Sequence, residues 1–297
     1  MSDRKKVTAP AVLARKGGDK IKMVTAYDAP TARIADRAGA DIILVGDSVA
    51  NVVLGYDDTL QVTIDDMVHH TAAVSRTRPA AMVLGDMPWL SYHGSVEATV
   101  RNAGKLIRDG GAEAVKLEGG AKRVPMIEAL VAAEIPVMGH IGLTPQSVHA
   151  MGGYRVQGKH ADVAQDLVAD AKALAAAGVF AIVLEGVPDL LAEIVSFAVD
   201  VPTIGIGAGP HCDGQVLVFH DVLGLGEGRL PKFVRQYAGL ADDAVAALEQ
   251  FFSDVEAGTF PADAETYHMP EETARSLMAP PAEEWADDLR ADEAMEH

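Results

Sequence analysis

The sequence predicts an α/β protein: one (β/α)8 TIM barrel with a short N-terminal helix and an acidic C-terminal extension. Three observations carry this expectation. Strand-like and helix-like segments alternate over most of the 297 residues, which is the pattern of a repeating β/α fold. The strand-like segments are short continuous apolar runs, as in parallel strands buried on both faces. Five of them end in, or carry near their ends, ionisable residues: Asp47, Asp86, Lys116 with Glu118, His140, and Glu185. A parallel barrel brings the carboxyl ends of its strands to one mouth, and that mouth is where enzymes of this fold react.

Residues 8–16 form an amphipathic start suited to plugging the bottom of the barrel. Residues 23–27 make the first strand and 29–38 its helix. The second and third strands end at Asp47 and Asp86. Between them lie a long loop (48–62) and a helix beginning near Ile64, with Asp65 and Asp66 favourably placed in its first turn. The fourth, fifth and sixth strands carry Glu118, His140 and Glu185, with helices over 122–133 and 161–177 between them. Residues 202–207 are the seventh strand. Residues 215–219 have strand composition, but only seven residues separate them from the seventh strand, and a parallel crossover needs about a dozen. The expectation is therefore a seventh helix over 215–223, an eighth strand over 233–237 and a closing helix over 242–255. The barrel domain is expected over 1–262, and a partly disordered acidic tail over 263–297.

Apolar residues make up 49% of the chain and aromatics only 5%, a balance suited to small, closely packed helices around a sheet. Cys212 is the single cysteine, so no intramolecular disulfide forms and a reducing compartment is expected. No apolar signal-peptide core follows Met1, and no run reaches the roughly 20 apolar residues of a membrane span. These features predict a cytoplasmic protein. The net charge of −18 argues against a nucleic-acid partner, which calls for a basic footprint. Half of that charge lies in residues 263–297, where eleven acidic side chains face two arginines.

Asp47 and Asp86 end consecutive strands, and neighbouring strands lie about 4.8 Å apart. Two carboxylates that close repel unless one is protonated or a cation lies between them. Oxygen ligands with no cysteine or paired histidine favour Mg2+; the alternative is that each Asp caps the segment that follows it. Lys116 and Glu118 stand two apart on one strand and share a face, with Val115 and Leu117 turned to the helices. A purely structural ion pair inside a barrel is costly to desolvate. Glu118 is thus expected to extend the metal site, directly or through water, and Lys116 to hold a substrate carboxylate or polarise an oxygen. Glu185, across the mouth, suits a general base or a cap for the helix starting near Pro188. His140 reads equally as a hydrogen-bonded wall residue or a catalyst. Gly205-Ile206-Gly207-Ala208-Gly209 lacks the spacing of a dinucleotide loop, and its glycines are expected to let backbone approach a ligand. His69, His70, His211, His220 and His268 lack metal-ligand spacing.

Assembled, these segments resemble the 3-methyl-2-oxobutanoate hydroxymethyltransferase (ketopantoate hydroxymethyltransferase) family over roughly residues 8–268. The resemblance is carried by residues 20–28, Val45-Gly46-Asp47-Ser48, Val53-Leu54-Gly55-Tyr56, Gly85-Asp86-Met87-Pro88, residues 115–120, residues 139–146 and the glycine run 205–209. It implies a barrel like those of phosphoenolpyruvate mutase and isocitrate lyase. It also implies an aldol-type transfer of a hydroxymethyl group from 5,10-methylenetetrahydrofolate to 3-methyl-2-oxobutanoate, giving 2-dehydropantoate for pantothenate and coenzyme A synthesis. By the same resemblance, Asp47, Asp86 and Glu118 hold one Mg2+ per subunit. Asp47, Ser48, Asp86 and Lys116 contact the oxo acid, Glu185 accepts the proton, and the enzyme is a cytoplasmic homodecamer of two pentameric rings. The residues alone leave open a Mg2+-dependent carbon–carbon lyase of the isocitrate-lyase or phosphoenolpyruvate-mutase type, or a Schiff base on Lys116.

Overall fold

A computed structural model of the chain describes residues 4–226, 228 and 230–278. Eight parallel strands close into a barrel in sequence order. They are β1 (Ile21–Thr25), β2 (Ile42–Val45), β3 (Met82–Asp86), β4 (Ala114–Glu118), β5 (Val137–Gly142), β6 (Ala181–Glu185), β7 (Thr203–Ile206) and β8 (Gly214–Leu217). The period-two alternation of a strand splits each apolar run between two cores. Met23, Ile42, Met82, Leu84, Met138 and Val183 fill the barrel interior, and Val7, Ala9 and Val12 of the N-terminal segment join that cluster, plugging the bottom as expected. Ile43, Val83, Val115, Leu117 and Ile182 point outward and pack with buried helix residues such as Met67, Leu106 and Leu174.

The helices follow their sequence signals. Asp28 caps the helix Ala29–Arg37 by accepting from the Thr31 amide at 2.8 Å. Thr63 and Asp66 form a reciprocal capping box on the helix Ile64–Ser75. Such caps are worth about 1 kcal/mol each. Among the described residues no helix is long and apolar enough to cross a membrane.

Two expectations about the end of the barrel are corrected. Residues 214–217 are the eighth strand, pairing with β7 on one side and β1 on the other. Only the short helix Phe219–Leu223 follows, and residues 233–237 form no strand. The crossover rule failed because no helix intervenes. Seven residues reach about 23 Å when extended, enough to run back alongside a four-residue strand of about 13 Å. The first strand also starts two residues earlier than expected.

The chain divides into two compact units, Met1–Ala241 and Asp242–His297. The expected closing helix is present as Leu240–Ala257, with none of its residues buried. In the second unit the Phe251 ring meets Phe260 edge-on at 5.3 Å, and the helix Glu271–Met278 follows. Most of the expected acidic tail, residues 279–297, lies outside the described residues.

Asp213 latches the closing seam. Its buried carboxylate accepts from the Thr203 amide at 2.8 Å, the Gly17 amide at 2.8 Å and the Lys16 ammonium at 2.9 Å, while its carbonyl accepts from Ile21 on β1. Burial opposes the charge, yet the Thr203 and Gly17 amides and Lys16 hold the carboxyl below its ordinary range. Asp213→Ala leaves two amides and an ammonium without their acceptor, and we expect a loss of about 3 kcal/mol in urea unfolding. A carboxyl held low in the folded state stabilises above its unfolded pKa and loses that contribution as pH falls through the folded value. The stability gap between wild type and Asp213→Asn should therefore be widest at neutral pH and shrink in acid below roughly pH 4.

Candidate active site

At the carboxyl end of the barrel the inward-facing row changes from apolar to charged. Above Leu84 stands Asp86, above Ala114 stand Lys116 and Glu118, above Met138 stands His140, and above Val183 stands Glu185. The register sets Asp86 beside Lys116 and Glu118 beside His140. Asp47 follows the end of β2 and donates its amide to Asp86 Oδ2 at 3.2 Å. These residues share one cavity of about 930 Å3 with Ser48, whose hydroxyl lies 2.8 Å from that of Tyr27. All six residues expected at the site, Asp47, Ser48, Asp86, Lys116, Glu118 and Glu185, line this cavity.

The floor is dry. Asp47, Asp86, Lys116, Glu118 and His140 are each buried. Lys116 Nζ lies 2.9 Å from Asp86 Oδ1 and 3.9 Å from Glu118 Oε1. Burial pushes the Asp86 carboxyl up to about 7 against the pull of Lys116, and burial raises Glu118 well above the carboxylate range. Burial alone would depress Lys116, but Asp86, Glu118 and Asp47 hold it above its ordinary value, as a cation. Burial, then Lys116, keeps His140 neutral. The ammonium lies 3.2 Å from His140 Nδ1. Since Lys116 can only donate, Nδ1 accepts and the ring proton sits on Nε2, which lies 3.3 Å from Glu185 Oε2 without an aligned hydrogen bond.

Residues that carried little or no sequence signal hold this floor in place. The Gln146 side-chain amide donates to Asp47 Oδ2 at 2.9 Å and to the Met87 carbonyl at 3.0 Å. Its oxygen accepts from the Tyr92 hydroxyl at 2.5 Å, and its backbone amide donates to Glu118 Oε2 at 3.1 Å. Tyr92 in turn accepts from the Glu118 amide at 3.1 Å. Gln146 sits within the segment 139–146 quoted above, which was the one hint of its role; Tyr92 had none. Gly142, at φ +95°, lets the chain pass the Glu185 carbonyl, which would lie 2.3 Å from a Cβ there. The glycine run after β7 departs from expectation. The space beside Gly207 is filled by the Phe233 ring and that beside Gly209 by Asp189, so the close approach is made by the chain itself.

The donor set fits a hard divalent cation. The carboxylates outnumber the one buried ammonium, and Asp86 Oδ1 receives no aligned hydrogen bond although it is buried. Among the described residues no three His, Cys, Asp or Glu side chains converge on a single metal position. Asp47 and Asp86 adjoin through the Asp47 amide, and Mg2+ takes one or two carboxylates and fills its remaining positions with water and substrate.

Comparison with known proteins agrees with this geometry. The family profile described as ketopantoate hydroxymethyltransferase matches residues 6–263. The 3-methyl-2-oxobutanoate hydroxymethyltransferase of Moorella thermoacetica is 58% identical over 262 residues, covering 88% of this chain and 97% of that protein. That of Syntrophomonas wolfei is 57% identical, covering 89% and 95%. Among solved structures, a 2,3-dimethylmalate lyase of the phosphoenolpyruvate mutase/isocitrate lyase superfamily aligns with a TM-score of 0.54 at 20% identity, covering 97% of this chain and 99% of that one. A phosphonopyruvate hydrolase solved with oxalate and Mg2+ aligns with a TM-score of 0.56 at 15% identity, covering 98% and 99%. These two show the barrel type alone. The family match and the close relatives together establish that the chain belongs to the ketopantoate hydroxymethyltransferase family, enzymes that transfer a hydroxymethyl group to 3-methyl-2-oxobutanoate.

Proposed function

We propose that the chain performs this transfer with 5,10-methylenetetrahydrofolate as donor and Mg2+ as cofactor, giving 2-dehydropantoate for pantothenate and coenzyme A synthesis. The observation that carries the proposal is the buried floor, where Asp47, Asp86, Glu118 and Glu185 surround one ammonium and a neutral imidazole. Asp47 and Asp86 hold the ion, and Glu118 completes its shell directly or through water. Bound there, Mg2+ supplies electrostatic stabilisation of the negative charge that develops on the keto oxygen.

Asp47, Ser48, Asp86 and Lys116 orient the oxo acid, with Lys116 as the fixed positive charge for its carboxylate. Glu185 takes the C3 proton, with the Nε2–H of His140 3.3 Å from its carboxyl. The C3 carbanion equivalent then attacks the one-carbon unit. In the whole reaction the C3–H bond and both methylene–nitrogen bonds break and a C3–CH2 bond forms. Water supplies the hydroxyl, and tetrahydrofolate takes the two hydrogens. The Lys116 ammonium already makes close contacts with Asp86 and His140. That arrangement favours an orienting cation over a Schiff-base nucleophile, which must first lose its proton.

The enzyme is proposed to act in the cytoplasm as a homodecamer. Assembly is supported by the helix Asp189–Ala198, which leaves Leu190, Ile194 and Phe197 exposed at helical spacing, Phe197 by 94%. A single apolar stripe of that kind marks a docking face.

Two measurements test the site. Mg2+ at about a hundred times its Kd adds about 2.7 kcal/mol to stability, which is several degrees in Tm for a domain of this size. Asp47→Asn and Asp86→Asn should each abolish that shift. Glu185→Gln should still bind 3-methyl-2-oxobutanoate but lose Mg2+-dependent deuterium exchange at C3 by at least a hundredfold. Exchange at the wild-type rate in this variant would remove Glu185 from the role of base.

A further inference from the structure

The cavity is far larger than its acidic floor requires. About 930 Å3 is the volume of a site for a drug-sized molecule, and a five-carbon oxo acid fills only a corner of it. The ionisable floor comes entirely from β2 to β6. The strands β7 and β8 carry no ionisable residue, and give the cavity Ile206, Val216 and the loops beyond them. This second half opens next to the base, because Glu185 is the register partner of Ile206 and the Phe233 ring packs over Gly207, the next residue.

The chemistry of this half is specific. Asp221, on the short helix after β8, lines the cavity and is half-buried. Among the described residues no side chain pairs with it. Many barrels bind phosphate behind their last two strands, beside such a short helix. A carboxylate at that place repels phosphate and calls instead for N–H donors. The Phe233 ring, exposed by 38%, covers this opening at Gly207, and Lys232 beside it lines the cavity as a cation without an ion pair among the described residues. Tyr154 and Arg155 line the cavity from the segment between β5 and β6; burial, then the field of Asp58, Asp47, Glu185 and Glu118, raises the Tyr154 pKa.

We infer that this half of the cavity is the subsite for the one-carbon carrier: Asp221 accepts the paired N–H groups of an aminopyrimidinone ring, Phe233 covers one of its faces, and Lys232 meets an anionic tail. A flat heterocycle with two adjacent N–H donors pairs with a carboxylate in two parallel hydrogen bonds, the strong charge-assisted arrangement. Aromatic side chains suit its faces. A methylene group presented from here approaches C3 from the β7–β8 side, beside Glu185, while the oxo acid stays on the β2–β4 side. The inference rests on the tetrahydrofolate donor proposed above.

The test separates the two halves of the reaction. Tetrahydrofolate affinity is measured by fluorescence titration with Mg2+ and oxo acid present, KM for the methylene donor by steady-state assay, and C3 deuterium exchange without any folate. Asp221→Asn is expected to weaken tetrahydrofolate binding and raise the donor KM by tenfold or more, with C3 exchange within twofold of wild type. Phe233→Leu, which keeps an apolar cover on Gly207, is expected to weaken the carrier about threefold and guards against a folding defect in the first variant. Carrier affinity within twofold of wild type in both variants overturns the inference. So does an equal loss of C3 exchange in Asp221→Asn, which would place Asp221 with the oxo acid. If the wild type exchanges C3 protons yet binds no tetrahydrofolate, the donor itself has been misread and the inference falls with it.

Discussion

The contact between Lys116 and Asp86 decides what kind of place the barrel mouth is. At 2.9 Å, opposite unit charges attract by roughly 6 kcal/mol at an effective dielectric near 20. Removing two such ions from water costs several kcal/mol each. The pair therefore roughly breaks even, and it cannot also offset the desolvation of Asp47 and Glu118 in the same buried cluster. Burial shows its strain on Asp86 and Glu118, whose carboxyls are pushed toward the protonated form. Such a floor does little for folding. Its donor set fits the divalent cation proposed above, which would bring positive charge to the carboxylates.

A strained cluster keeps its geometry only if its surroundings leave it no alternative. Here the supports are neutral. Gln146 bridges Asp47 and the Met87 carbonyl, while Tyr92 fixes the Gln146 oxygen and receives the Glu118 amide. Met87 follows β3, Glu118 ends β4 and Gln146 follows β5, so the network ties neighbouring strand ends together. Each hydrogen bond is worth about 1 kcal/mol net. Their larger effect is orientation: a carboxamide that must donate to both Asp47 and Met87 has one rotamer, and one Asp47 oxygen is committed to it. The apolar plug at the other end of the barrel supplies the stability that the mouth does not.

What was legible in the sequence were the features with a local signature. Asp47 and Asp86 announce themselves as polar stops on apolar runs, and Lys116 and Glu118 share a face because strand side chains alternate. His140 was left ambiguous because its role depends on its partners, Lys116 on β4 and Glu185 on β6, which are separate in sequence. Tyr92 and Gln146 lie 54 residues apart, and neither carries charge, so no pattern linked them. The eighth strand was misread for a different reason. A length rule for helical crossovers overrode the β-branched composition of residues 215–219, although the chain returns there without a helix.

The position of His140 ties the two functions of the floor together. Because Lys116 is held as a cation and can only donate, the imidazole presents its lone pair to Lys116 and carries its proton on Nε2, the nitrogen that lies 3.3 Å from Glu185 Oε2. If Lys116 were neutral, Nδ1 would be free to carry the proton and the contact with Glu185 would turn repulsive. With the roles proposed above, the ammonium that would orient the oxo acid on one side of the mouth also sets the tautomer of the ring beside the proposed base on the other.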